Sequence, residues 1–139
     1  MIIADTGAIV GFLDSSDEHH EWIAKRWQTL PAPFVTCEAV IVESCYLLRH
    51  LPGAKDSVLE LVESKLINLE FSLPDEITQV RELMQKYESV PMSLADACLV
   101  RLSEFTKRAR IFTLDSDFWI YRRNGNEEIP LIIPPNRQK

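Results

Sequence analysis

The chain has 139 residues, 46% hydrophobic and 26% charged, and carries a formal net charge of −6 from 15 basic and 21 acidic side chains. That is the length of one domain, with enough apolar material for a core that needs no disulfide or metal staple. Apolar runs such as Ala39–Val42 and Leu131–Ile133 fall far short of the ~20 residues that span a bilayer, and Met1–Asp5 lacks the basic region and cleavage site of a signal peptide, so a membrane partner is excluded and a cytoplasmic location is expected.

In chain order, Ile2–Ala4 reads as a short buried strand ending at Asp5, and Thr6–Leu13 as a helix that follows at once. Asp14–Asp17 is a turn rich in N-cap residues, and Glu18–Leu30 is an amphipathic helix stopped by Pro31 and Pro33. Phe34–Thr36 is a second strand, Glu38–Leu51 a helix closed by Pro52-Gly53, and Ala54–Leu66 another helix. Alternation of Ile67, Leu69, Phe71 and Leu73 predicts a strand, and Pro74 at a helix N1 position opens a helix over Asp75–Glu88. Ser93 with Asp96 three residues on is an acidic form of the capping box, so a helix runs to about Lys107. Arg110–Thr113 and Leu131–Ile133 complete the strands. Strands alternating with helices predict an α/β fold, a three-layer sandwich around a mostly parallel central sheet of four to five strands, in one domain spanning residues 1–139.

Four acids stand out by position. Asp5 follows the first strand and Asp115 follows the fourth by one residue, so both belong at the carboxyl edge of the sheet, where ligands of open parallel sheets bind. Glu43 and Asp96 each interrupt an apolar helical stretch, Ala39–Leu48 and Leu94–Val100, and an unpaired buried carboxylate is costly. A hard divalent cation would remove the mutual repulsion of such a set and activate a phosphodiester toward water. Each acid also has a structural reading: Asp5 as an N-cap, Asp96 as a capping-box acid, Glu43 as a partner of Arg49, and Asp115 as a turn former with Ser116.

The net charge opposes nucleic-acid binding through a global positive field. Basic residues are nevertheless gathered at Lys107-Arg108, Arg110 and Arg122-Arg123, where they could form a local rim against a phosphate backbone. Trp119, close behind Asp117, is the tryptophan placed to stack on a base, whereas Trp22 and Trp27 read as packing the core or a subunit contact. His19-His20 read as exposed residues at a helix start. Cys37, Cys45 and Cys98 are odd in number, show no close metal-type pair, and read as buried reduced thiols. No Gly-rich phosphate loop or Ser/His/Asp set is present.

The segments Ile2–Thr6, Thr36–Glu43, Leu94–Ala97 and Thr113–Phe118, in this order, resemble the PIN-domain family, in particular its VapC-like toxin ribonucleases, over essentially the whole chain. The resemblance implies Asp5, Glu43, Asp96 and Asp115 as catalytic acids, with Asp5, Asp96, Asp115 and Asp117 as metal ligands, and either Asp115 or Asp117 facing the pocket. Thr6 and Thr113 would be supporting hydroxyls, while Arg110, Trp119 and Arg122 are candidate RNA contacts by their residue type and position rather than by the resemblance. It further implies Mg²⁺ or Mn²⁺, endoribonucleolytic hydrolysis of RNA, a homodimer and an antitoxin partner. Gly7 stands where the family often has Ser or Asn. Two other functions compete: a phosphotransfer domain with Asp5 as phospho-acceptor, and a non-catalytic binding module on the same fold.

Overall fold

Every residue of the first two strands is buried, as expected when both faces of a parallel sheet are covered by helices. The computed structural model describes residues 1–139. In chain order it contains β1 (Ile2–Ala4), α1 (Thr6–Leu13), α2 (His20–Thr29), β2 (Phe34–Thr36), α3 (Glu38–Leu47), α4 (Ala54–Glu63), β3 (Ile67–Leu69), α5 (Leu73–Lys86), α6 (Leu94–Ser103) and β4 (Arg110–Phe112). A 3-10 turn at Ser116–Trp119 follows, then a hairpin of β5 (Arg122–Arg123) and β6 (Glu127–Glu128), then β7 (Leu131–Ile132) and a second 3-10 turn at Pro135–Arg137.

The central sheet has five strands in the order β3-β2-β1-β4-β7, all parallel. The order runs outward from β1 to β3 and then jumps to β4 on the other side of β1, so the topological switch lies between β1 and β4. Right-handed crossovers then place α1 to α4 over one face and α5 and α6 over the other. Aromatic packing agrees: Trp27 of α2 lies 4.1 Å from the Phe34 ring and 6.0 Å from that of Phe112, which share one face. On the other side α6 packs against β1 and β4. Trp27 is thus a core residue and Trp22 a half-buried one packed against the core, and the Trp27 indole donates to the Ala8 carbonyl at 3.0 Å.

The α/β architecture expected from the sequence is present, and the differences are local. The strand expected over Ile67–Leu73 ends at Leu69, because α5 already begins at Leu73. The helix expected to reach Leu51 stops at Leu47, and the one expected to reach Lys107 stops at Ser103. The hairpin β5–β6 and both 3-10 turns are too short to register as a hydrophobic period. The cysteines need a correction too. All three are free, but Cys45 is half-buried rather than buried, and Cys37 and Cys98 lie together along one pocket, where each thiol's neighbour pushes Cys37 below its usual range and Cys98 above it. No helix is long and apolar enough to cross a membrane.

Candidate active site

Asp5 is the residue at which β1 becomes α1. Its backbone N–H donates to the Phe112 carbonyl at 2.9 Å, which extends the β1–β4 ladder by one bond. Its side chain then turns to cap the helix, Oδ1 accepting from the Thr6 N–H at 2.7 Å. The second oxygen, Oδ2, accepts from the Thr113 hydroxyl at 2.6 Å. Thr113 follows β4, and its hydroxyl oxygen in turn accepts from the Asp115 N–H at 2.9 Å. Asp115 caps the first 3-10 turn, Oδ1 accepting from the Asp117 N–H at 2.8 Å. A continuous line of hydrogen bonds thus runs from Thr6 through Asp5, Thr113 and Asp115 to Asp117 along the carboxyl edge of β1 and β4.

Asp96 enters from α6. It forms the expected capping box: the Ser93 hydroxyl accepts from the Asp96 N–H at 3.0 Å, and Asp96 Oδ2 accepts from the Ser93 N–H at 3.3 Å. The same Oδ2 accepts from the Tyr121 hydroxyl at 3.0 Å. Tyr121 is fully buried, edge-on to Phe118 at 5.2 Å and to Tyr87 at 5.1 Å, so its hydroxyl is rigidly aimed. Glu43 comes from α3. It is exposed rather than buried and pairs with no cation; Arg49 instead bonds the Tyr46 carbonyl and lies over the Tyr46 ring. The apolar run around Glu43 is likewise partly outward, with Val42 at 70% and Tyr46 at 60% exposure.

These side chains line one cleft of about 490 Å³, formed by Asp5, Thr6, Gly7, Glu43, Leu47, Pro91, Ser93, Asp96, Leu114, Asp115, Asp117 and Arg137. It lies at the topological switch, where open parallel sheets bind ligands. Five carboxylates face it against one cation, Arg137. Burial is the main cause that pushes the Asp5 carboxyl up to about 7, with the charges of Asp96 and Asp115 adding to it and the Thr113 and Thr6 hydrogen bonds opposing it. Asp96 is raised by burial and by Asp115, against the Tyr121 hydrogen bond. Asp117 is raised by burial and by Asp115.

The donor set fits a hard divalent cation. All donors are oxygens, burial and then neighbouring carboxylates raise Asp5, Asp96 and Asp117, and the buried Thr6 Oγ1 lining the cleft has no hydrogen-bond partner in the protein. No three acids, histidines or cysteines converge tightly enough to form a closed ligand cage.

The basic residues expected at a rim fall elsewhere. Arg110 begins β4, so it sits at the amino edge of the sheet, and Lys107-Arg108 precede it. Arg122 turns its guanidinium onto the carbonyls of Trp119 and Tyr121 at 2.8 and 3.1 Å. Arg123 is 2% exposed and donates to the carbonyls of Ser103 and Lys107 and to Glu127. Trp119 does not line the cleft, and its indole N–H donates to the Arg137 carbonyl at 3.0 Å. The histidines are half-buried rather than exposed: His20 Nδ1 meets the Gly11 carbonyl at 2.7 Å and His19 contacts Asn136 at 3.3 Å, and neither lines the cleft. The sequence offered no sign of Tyr121 or Arg137, since neither lies in a periodic or motif-bearing segment. Gly7 has a packing reason: a Cβ there would meet the Leu114 side chain at 3.1 Å.

The sequence pattern of the PIN domain matches residues 2–124. Comparison with curated proteins finds no match. Among solved structures, the chain is similar to Mycobacterium tuberculosis VapC20, described as a Sarcin-Ricin loop cleaving toxin, with a TM-score of 0.76 and 19% identity over 84% of this chain and 92% of that one. The fold is shared with that toxin, and the chain belongs to the PIN domain family.

Proposed function

We propose that the chain is a Mg²⁺- or Mn²⁺-dependent endoribonuclease, the toxin of a toxin–antitoxin pair. The observation that carries this reading is the convergence of Asp5, Glu43, Asp96, Asp115 and Asp117 on one cleft at the sheet's switch point. The similarity in fold to a toxin described as cleaving the Sarcin-Ricin loop supports RNA as substrate. A divalent ion held among these acids supplies electrophilic polarisation of the phosphodiester and a more acidic attacking water.

The protein's own residues supply position and proton traffic. Asp5 is held at both oxygens, so its orientation is set before substrate arrives. Asp96, which lines the cleft, is held at Oδ2 by Tyr121 and Ser93, and its Oδ1 has no hydrogen-bond partner in the protein. Glu43, exposed at the mouth, is free to orient water and accept its proton. Asp115 keeps one oxygen free of the Asp117 N–H, and Asp117 has no side-chain hydrogen bond, so both offer oxygens to the cleft. The phospho-acceptor reading has less support, because both Asp5 oxygens already accept hydrogen bonds and the side chain is buried. Exposed Val42, Tyr46 and Leu47 on α3, beside Glu43, support an antitoxin that covers the cleft mouth. A homodimer belongs to the same reading.

The test is cleavage of single-stranded RNA with Mg²⁺, with Mn²⁺ and with EDTA, by wild type and by Asp96→Asn. Metal-dependent cleavage lost in the variant supports the reading. Cleavage that survives EDTA, or that Asp96→Asn retains, overturns it.

A further inference from the structure

Residues 125–139 lie beyond the matched PIN domain, yet the structure ties them back to the cleft. β7 adds to the edge of the central sheet, and the Thr113 N–H donates to the Ile132 carbonyl at 3.0 Å, directly beside the Thr113 hydroxyl that holds Asp5. The chain then enters the turn at Pro135–Arg137. Its end is held by the Trp119 indole on the Arg137 carbonyl, by the Gln138 amide on the Ile133 carbonyl at 2.9 Å, and by a contact of His19 with Asn136 at 3.3 Å. These bonds use backbone or neighbouring side chains. The Arg137 guanidinium takes part in none of them, nor in any ion pair of the protein, and it is exposed in a cleft that otherwise presents five carboxylates.

A lone guanidinium anchored through its main chain beside acids suited to a divalent cation has the chemistry of a phosphate clamp, since guanidinium matches phosphate oxygens in a two-pronged geometry. Every other basic group expected near the site is at the far sheet edge or bonded to carbonyls. We infer that Arg137 binds a phosphate of the RNA backbone next to the scissile bond, and that Trp119 is the positioning residue that holds the Arg137 segment in place. This inference rests on the nuclease reading above and adds the residue that opposes the acidic charge of the site.

The experiment uses the full chain and a fluorescent single-stranded oligoribonucleotide in Mg²⁺. Binding is read by anisotropy across a salt series in the Asp96→Asn background, with and without Arg137→Ala, and cleavage is read in the wild-type background. Both variants keep the Arg137 carbonyl, so the Trp119 anchor survives. Arg137→Ala is expected to weaken binding about tenfold at low salt and to flatten the log–log salt slope by about 0.7, the increment of one single-strand phosphate contact. In the cleavage assay KM rises about tenfold while kcat stays within a few fold, and Arg137→Lys recovers part of the loss. Trp119→Phe raises KM in the same direction with the charge intact. Unchanged affinity, slope and KM in Arg137→Ala, with wild type cleaving normally, overturn the phosphate clamp alone. A wild type that cleaves no RNA with either metal overturns the nuclease reading and this inference with it.

Discussion

The Thr113 hydroxyl reaches Asp5 Oδ2 at 2.6 Å across 108 positions of sequence, and it accepts from the Asp115 N–H at the same time. One hydroxyl therefore sets the orientation of two acids from different strands. Thr113→Val keeps the shape and removes both bonds. A buried carboxylate oxygen and a part-buried N–H lose a partner, so the expected destabilisation is about 1–3 kcal/mol, with metal affinity reduced about 10–100-fold. Urea unfolding and a Mg²⁺ titration of activity measure the two effects, and Thr113→Ser should recover both. Equal metal affinity in Thr113→Val and wild type would remove Thr113 from the site.

Asp5 makes stability depend on pH in an unusual direction. Its carboxyl rises from the ordinary 3.8 to about 7, so between those values the folded state binds a proton that the unfolded chain has released. The stability linked to this proton is full below about pH 4 and is lost as pH rises through about 7, on the order of 4 kcal/mol over the window. Asp5→Asn has no such proton. In chelator, wild type should therefore lose stability relative to Asp5→Asn from pH 4 to 7, and saturating Mg²⁺ should shrink the difference. Parallel pH profiles for the two proteins would contradict the assignment.

Tyr121 holds Asp96 by a hydroxyl that has no other partner. Tyr121→Phe leaves the aromatic packing with Tyr87 and Phe118 in place and frees Asp96 Oδ2 from one of its two donors. The expected cost is about 1 kcal/mol of stability and about a tenfold loss of cleavage that excess Mg²⁺ partly restores. Activity measured against Mg²⁺ concentration checks this. A loss that no metal concentration changes would mean that Tyr121 acts on something other than the orientation of Asp96.

Gly11 tests the frame apart from the chemistry. A Cβ at that position would overlap Ile23 Cδ1, which is fully buried where α2 packs on α1. Gly11→Ala should destabilise by about 1–3 kcal/mol through overpacking, while activity per folded molecule stays at the wild-type level. Thermal unfolding with a parallel cleavage assay separates the two.

The acids were legible in the sequence for different reasons. Asp5 and Asp115 follow short apolar strands, and the rule that parallel sheets bind ligands at their carboxyl edge needs only that those strands be neighbours, which β1 and β4 are. Asp96 was legible twice over, since the Ser93 spacing predicted a capping box that the structure contains. Glu43 was noticed on a wrong premise: its helix looks buried in sequence, but several of its apolar residues face outward. The basic residues misled because charge says nothing about which end of a strand it occupies. Arg110 sits at the amino edge, while Arg122 and Arg123 satisfy carbonyls of chain turns that leave no periodic trace. Arg137 and the Cys37–Cys98 contact arise only from tertiary approach, which no local pattern encodes.

Three of the clustered acids also start an element: Asp5 caps α1, Asp96 closes the capping box of α6, and Asp115 caps the turn at Ser116. Loss of charge and loss of folding are therefore separable only by substitutions that keep a hydrogen-bond acceptor. A descendant of this protein shedding these charges would pass through Asn, Ser or Thr at the N-caps 5 and 115 and through Asn or Gln at the N3 position 96, and Ala would be selected against at all three. Lineages on this scaffold that have lost the cluster's charges should carry that polar residue pattern as a fossil of the acid cluster.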